Sequence, residues 1–167
     1  TTVDRARPAR AADAGPAASP VRYTVTLARD ESDVRAAQRL RHDIFVLEMG
    51  ADLRSGPEPG LDSDAFDPFC DHLLVRDDST GRVVGTYRLL PPDRAAVAGR
   101  LYSEREFDLG PLADIRPGLV EVGRSCVHPD HRDGAVISLI WAGIARYMID
   151  GGYEWLGGCC SVPLTDG

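Results

Sequence analysis

Between Leu119 and Gly134 the chain reads LVEVGRSCVHPDHRDG, and its most strand-like run carries an acid, Glu121, and a base, Arg124, just ahead of a turn and a helix. A carboxylate partly enclosed by a sheet is suited to general-base work, because burial moves such groups toward neutral pH. An amine, protonated at neutral pH, needs a base of this kind before it can attack a thioester, directly or through water. Gly123 is a natural site for a β-bulge, which would splay the ladder and expose backbone N–H groups able to stabilise an oxyanion. The turn that follows is of the kind that binds phosphate at a helix start. Together these features suggest acyl transfer to an amine. Regular alternation would put Glu121 and Arg124 on opposite faces, so a shared role requires the bulge. A Glu and an Arg kept for structure alone is the alternative.

A second group of charges lies upstream. Arg41 falls on the same helical stripe as Val34, Ala37 and Phe45, and a guanidinium on a buried face needs a carboxylate. Glu48 could supply it locally; Asp62, Asp64 and Asp67 in the following loop are the other candidates, and an internal salt bridge pinning loop to helix is one outcome. Arg88 shares a strand face with Thr86. Cys126 with His128, and Cys70 with His72, sit two apart and so on one face, which permits a nucleophile and base without establishing them. Buried structural thiols are the default reading. His128 and His131 flank Pro129 and lack a second ligand cluster, so no metal site is expected.

These residues must be positioned by alternating strands and helices. Arg22–Ala28 alternates with period two and reads as a strand; Asp30–Ser32 offers caps for a helix through about Met49, closed by Gly50. A Gly/Pro/Asp-rich loop runs from Ala51 to Pro68. Asp71–Arg76 and Arg82–Leu90 flank the turn Asp77–Gly81 as a hairpin. Pro91–Gly118 reads as irregular, Leu119–Val127 as a strand, Ala135–Asp150 as a helix ended by Gly151 and Gly152, and Tyr153–Val162 as a further strand. The fold class is therefore α/β (α+β), a mixed sheet with flanking helices. Residues 1–20, rich in Ala, Pro and Arg, read as a disordered tail, and 21–167 as one domain. The chain stops directly after a strand whose edge would be left uncovered, as expected of a piece of a longer protein.

Composition excludes several classes. The net charge of −7 argues against nonspecific nucleic-acid binding. All 19 basic residues are Arg, which removes a Lys Schiff base or P-loop lysine. The four cysteines, Cys70, Cys126, Cys159 and Cys160, form no CxxC or disulfide framework, which fits a reducing compartment. No signal peptide or bilayer-spanning run is visible, so a cytoplasmic location, at most peripheral on a membrane, is expected.

With strand, turn and helix in place, the pattern resembles the Gcn5-related N-acyltransferase superfamily, whose acyl-thioester donor lies in a splayed V between two central strands. RLRHDIFVLEMGA, DSDAFDPFCDHLLVRD, GTYRLLPP, YSEREFDL and LVEVGRSCVHPDHRDG resemble more closely its hemolysin-like branch, the ornithine-acyl-carrier-protein N-acyltransferases, over residues 22 to 167. That branch is similar to the acyl-homoserine-lactone synthases, whose charged cluster falls here on Arg41 and Phe45, Asp64 and Asp67, Arg88, and Glu121 with Arg124. The resemblance implies that Glu121 assists amine deprotonation, with Arg124 beside it, while Arg41, Phe45, Asp64, Asp67 and Arg88 shape the substrate pockets. Ser125, Cys126, Val127, Arg132 and Gly134 would hold the donor. The pyrophosphate loop of the wider superfamily is present only as His131–Val136, without its final small residue, which favours an acyl-carrier-protein phosphopantetheine thioester over coenzyme A. No bound cofactor is implied. An acidic carrier would need a basic dock, for which Arg94, Arg100, Arg105, Arg116 and Arg132 are candidates. The implied reaction moves a 3-hydroxyacyl chain to the α-amine of ornithine; another amine or acyl-coenzyme A, or a noncatalytic acyl-binding module, are the alternatives.

Overall fold

The computed structural model describes residues 22–51 and 58–160. The expected tail at 1–20 and the last residues of the expected final strand lie outside them. Strand β1 (Tyr23–Leu27) leads to helix α1 (Glu31–His42), whose N-cap Asp30 accepts a hydrogen bond from the Asp33 N–H at 3.0 Å. Glu31 and Asp33 in the first turn and Arg39, Arg41 and His42 in the last complement the helix dipole. The helix expected through Met49 has that extent but not one form. From Asp43 to Glu48 it widens into a π turn, in which the Met49 N–H reaches the Ile44 carbonyl at 2.9 Å. Such turns recur at functional sites.

The hairpin is present as β2 (Asp71–Asp77) and β3 (Val83–Leu90). The segment Pro91–Gly118 is more ordered than its mixed composition suggests. Helix α2 (Pro92–Ala98) begins on Pro92, whose missing N–H costs nothing in a first turn, and Gly99 closes it at φ 80°. Single 3₁₀ segments follow at Tyr102–Arg105 and Gly110–Gly118. Then come β4 (Leu119–Val127), α3 (Ala135–Gly151) and a short β5 (Trp155–Gly157) in place of the longer expected strand.

The five strands form one sheet in chain order, antiparallel from β1 to β4 and parallel between β4 and β5. The last pairing spans only Leu119↔Trp155 to Glu121↔Gly157, while β4 runs on to Val127. The two strands therefore part just beyond Glu121. One sheet face, with Leu73, Leu89, Val120 and Val122, packs on Val136, Ile140 and Ile144 of α3. The other packs Leu74, Val83 and Cys126 on Ala37, Leu40 and Ile44. A third cluster around Phe66, Cys70, Leu90 and Leu101 closes the end of the sheet under α2. Among the described residues no helix is long and apolar enough to cross a membrane.

Candidate active site

The β3–β4 register fixes which side chains meet. Leu90 pairs with Glu121, Leu89 with Val122 and Arg88 with Gly123, but Thr86 pairs with Cys126. Two steps on β3 therefore oppose three on β4, so Arg124 and Ser125 face Tyr87 as a bulge. The bulge lies one residue beyond Gly123. Arg124, and not the glycine, adopts a positive φ of 55°. The extra residue reverses the alternation, and Glu121 and Arg124 come to line one small cavity of about 60 Å³ with Arg88, Phe66, Tyr102 and Cys159.

Beneath that cavity lies a closed array of charges. Arg41, 1% exposed, holds Asp67 through two bonds of 3.0 and 2.9 Å and donates to the Asp62 carbonyl. Arg88 reaches Asp64 at 2.7 Å and Asp67 at 3.2 Å. Arg124 Nη2 lies 3.3 Å from Asp64. Asp62 Oδ2 stands 3.0 Å from Arg41 Nε and 3.1 Å from Arg124 Nε without hydrogen-bond alignment, so it acts there as a charge. Three guanidiniums thus meet three carboxylates. Burial alone would raise the Asp67 carboxyl, but Arg41 and Arg88 hold it down at about 2. Burial likewise works against the Arg88 and Arg124 cations, and the neighbouring aspartates more than offset it, so both sit above the ordinary arginine value.

Glu121 is 6% exposed and faces the 3₁₀ turn at Tyr102. Its Oε1 accepts from the Ser103 N–H at 2.8 Å and from the Ser103 hydroxyl; its Oε2 accepts from the Tyr102 N–H. Each carboxylate oxygen has two lone pairs, so among the described residues one remains on Oε2. Glu121 also borders a second cavity of about 390 Å³, walled by apolar residues such as Phe107, Leu112, Ile115 and Leu156. The Tyr102 ring lies 5.3 Å from the Arg124 guanidinium, 5.6 Å from that of Arg88 and 5.4 Å from that of Arg105, within cation–π range. Sequence reasoning does not reach Tyr102, Ser103 or Cys159 as site residues; YSEREFDL carries the resemblance but gives these side chains no role.

The remaining candidates sit in different surroundings. Glu48 does not serve Arg41, because it sits on the exposed π turn and takes two bonds of 2.7 and 2.8 Å from Arg132. Phe45 packs against the α1 core instead of joining the cluster. The reversed alternation points the Cys126 side chain into that same core, while Val127 packs on the α3 side. Ser125, Cys126, Val127, Arg132 and Gly134 line neither cavity; Gly134, at φ 96°, caps the start of α3. Neither Cys–His pair is joined by a hydrogen bond among the described residues. Burial pushes both the Cys70 and Cys126 thiols up to about 12, and burial lowers His72, whose ring nitrogens have no hydrogen-bond partner among the described residues.

Residues 40–142 match the family model described as the acetyltransferase (GNAT) domain, and the chain belongs to that family. Its curated relatives include the L-ornithine N(alpha)-acyltransferase of Rhodobacter capsulatus, 45% identical over 159 residues, covering 90% of this chain and 60% of the relative. The protein of the same name from Rhizobium meliloti is 42% identical over 147 residues, covering 82% and 49%. The chain thus spans between about half and three fifths of these relatives. Among solved structures, the CoA-dependent acyl-homoserine lactone synthase BjaI, determined with SAM and isopentyl-CoA, is 29% identical with a TM-score of 0.58, over 77% of this chain and 59% of that one. The acyl-homoserine lactone synthase LasI superposes with a TM-score of 0.61 at 14% identity, over 83% and 72%, a likeness of fold.

Proposed function

We propose that the protein containing this chain is an N-acyltransferase that moves an acyl group from a thioester to the α-amine of L-ornithine, giving lyso-ornithine lipid. The observation that carries this reading is the β4 bulge, which gathers Glu121 and Arg124 on one cleft wall with a charged cavity on one side of the carboxylate and an apolar one on the other. The relatives named L-ornithine N(alpha)-acyltransferase supply the acceptor.

The free lone pair of Glu121 Oε2 takes a proton from the ammonium, directly or through water. The amine then forms a C–N bond to the thioester carbonyl carbon. A bulge disrupts the ladder locally, and the backbone N–H groups it frees would stabilise the resulting oxyanion. Collapse breaks the C–S bond, and the departing phosphopantetheine sulfur takes up, directly or through water, the proton that the nitrogen sheds as the amide forms, ending as a thiol. Arg88 and Arg124 orient the acceptor, while Arg41, Asp62, Asp64 and Asp67 hold those two guanidiniums in place.

Acyl-carrier protein is the donor we favour. Of five candidate docking arginines, Arg94, Arg116 and Arg132 are paired with Asp71, Glu104 and Glu48. Arg100 and Arg105, which flank the Phe66 ring, have no carboxylate partner among the described residues. They are the two candidates left to meet an acidic carrier. Incubating the full-length protein with 3-hydroxyacyl-carrier protein and ornithine, and detecting lyso-ornithine lipid by mass spectrometry, tests the reading. Product only with coenzyme A thioesters would replace the donor, and product only with another amine would replace the acceptor. Binding without turnover would leave an acyl-binding module.

A further inference from the structure

A second concentration of positive charge lies away from the Glu121 cleft, where α1 meets the β2–β3 turn. Arg39 on α1, Arg76 on β2, Arg82 after the turn and His128 beyond β4 border a pocket of about 190 Å³ floored by Leu40 and Val83. None of these residues lines either cavity of the cleft. Among the described residues Asp43 is the one carboxylate in the pocket wall. Asp33 and the Gly81 carbonyl, the latter at 3.1 Å, hold Arg76, so it is fixed and its charge is balanced. Arg39 and Arg82 are exposed and have no carboxylate partner among the described residues, in a chain of net charge −7. The turn that carries Arg82 is rigid: Asp77 accepts from the Ser79 N–H at 2.8 Å and from the Ser79 and Thr80 hydroxyls at 2.7 and 3.1 Å. His128 Nδ1 accepts from the Asp130 N–H at 3.3 Å, so the neutral ring carries its proton on Nε2 and donates from there.

We propose that this pocket binds a phosphate group, with Arg39 and Arg82 as its principal ligands and Arg76 and His128 as further donors. A carboxylate presents two oxygens in one plane, and a single guanidinium fork satisfies it. Donors arriving from a helix, a strand, a turn and the exit of β4 approach from several directions, which suits a tetrahedral anion with three free oxygens. The apolar floor lowers the local dielectric and strengthens such bonds. The pocket also has room, at several times the roughly 30 Å³ that a water takes up in the liquid. Asp43 opposes an anion, but the two unbalanced guanidiniums outnumber it. The dipole of α1 accounts for a cation at Arg39, yet it does not explain why Arg82 and His128 converge there from other elements. The site stands independently of the acyl-transfer reading. Its phosphate can come from a soluble ester or from a lipid headgroup, and the test separates the two.

Calorimetric titration of the full-length protein with inorganic phosphate at low salt should show saturable binding. Combining Arg39→Gln with Arg82→Gln should weaken it at least about tenfold, because two charge-assisted bonds are lost. Both side chains are exposed, so the fold tolerates the change. Combining Arg22→Gln with Arg29→Gln removes the same charge from exposed positions outside the pocket and should leave the affinity within about twofold. Equal weakening in the two double variants would show general attraction to charge and overturn the site. No saturable binding by the wild type, or undiminished binding without Arg39 and Arg82, overturns it as well. Flotation with phosphatidylcholine vesicles containing phosphatidic acid identifies the source. Capture that is lost with Arg39 and Arg82 and displaced by inorganic phosphate assigns a lipid headgroup. Binding of inorganic phosphate without vesicle capture assigns a soluble phosphate ester, and either result supports the pocket.

Discussion

Arg124 Nε lies 3.1 Å from Asp62 Oδ2, so a bulged strand residue is tied to a loop that precedes the whole β2–β3 hairpin. To make that contact Arg124 occupies the left-handed region at φ 55°, which costs a non-glycine residue about 1 to 2 kcal/mol. Replacing Arg124 by Ala should keep that backbone cost and lose the charge, whereas Gly loses the charge and relieves the backbone. Arg124→Gly is therefore expected to be more stable than Arg124→Ala by about 1 kcal/mol, with both inactive. Urea unfolding checks the order; Ala as stable as Gly would show that the conformation carries no strain.

The charge array makes stability depend on acid. The Asp67 carboxyl is depressed to about 2 against an ordinary 3.8, so its contribution is fully present above about pH 4 and is lost as pH falls through 2. The shift corresponds to about 2 kcal/mol. His72 acts in a higher window. Burial lowers its folded-state value below 6.5, so the unfolded chain binds the proton more readily and stability declines as pH drops below 6.5. Asp67→Asn should flatten the lower window and His72→Gln the upper. Unfolding curves from about pH 1.5 to 8 would show whether each slope disappears with its residue.

Cys126 and Cys70, both raised to about 12 by burial, are thiols at any physiological pH. Neither should react with a disulfide reagent in the native protein at about pH 8, while Cys160, which is exposed, should. Cys126→Ala should cost about 1 to 2 kcal/mol of stability through lost packing yet leave kcat within a few-fold. A loss of two orders of magnitude in kcat with the fold intact would restore a covalent mechanism.

The strands and the two long helices were legible because their apolar periods are clean, and Asp30 and Gly50 punctuate α1 and its π turn as their chemistry requires. Helix α2 was hidden by a seven-residue length and a mixed composition, though Pro92 and Gly99 marked its ends. Arg41 was recognisably buried, but three aspartates in one loop and Glu48 on its own stripe offered equal partners. Only the tertiary path of the loop selects Asp62 and Asp67. The bulge falls one residue beyond Gly123, and the residue it inserts, wherever it sits before Cys126, decides that Cys126 faces α1 and not α3. Ser103 and Tyr102 escape a sequence reading because they hold Glu121 largely through backbone N–H groups, which carry no sequence signature.

Gly123 can be used to close the cleft without disturbing the fold. A Cβ built there meets no atom within 4 Å, and the residue lines the 60 Å³ cavity beside Glu121 and Arg124. Gly123→Val adds bulk to open space and suits a strand, so stability should stay within about 1 kcal/mol. Acyl transfer should fall at least about tenfold, with the acceptor KM raised. Unchanged kinetics at unchanged stability would mean that the acceptor does not enter this cavity.

Glu121 is held by three donors, and the replacement that removes its charge also disturbs them. A glutamine can place its carbonyl against the Ser103 N–H and hydroxyl, but its NH₂ then points at the Tyr102 N–H, donor against donor. Glu121→Gln should therefore lose about 1 to 3 kcal/mol of stability as well as activity. If the carboxylate is the base, kcat should drop by about 10² to 10⁴. Raising the pH should recover part of that rate, because a larger share of the amine is then already deprotonated. If instead the carboxylate only positions the Tyr102–Ser103 turn, the loss should be independent of pH and should shrink when the variant is stabilised, for example by osmolyte. The pH–rate profile of Glu121→Gln separates these roles: a rate that climbs with pH toward the amine's own pKa supports the base, and a profile parallel to the wild type removes it.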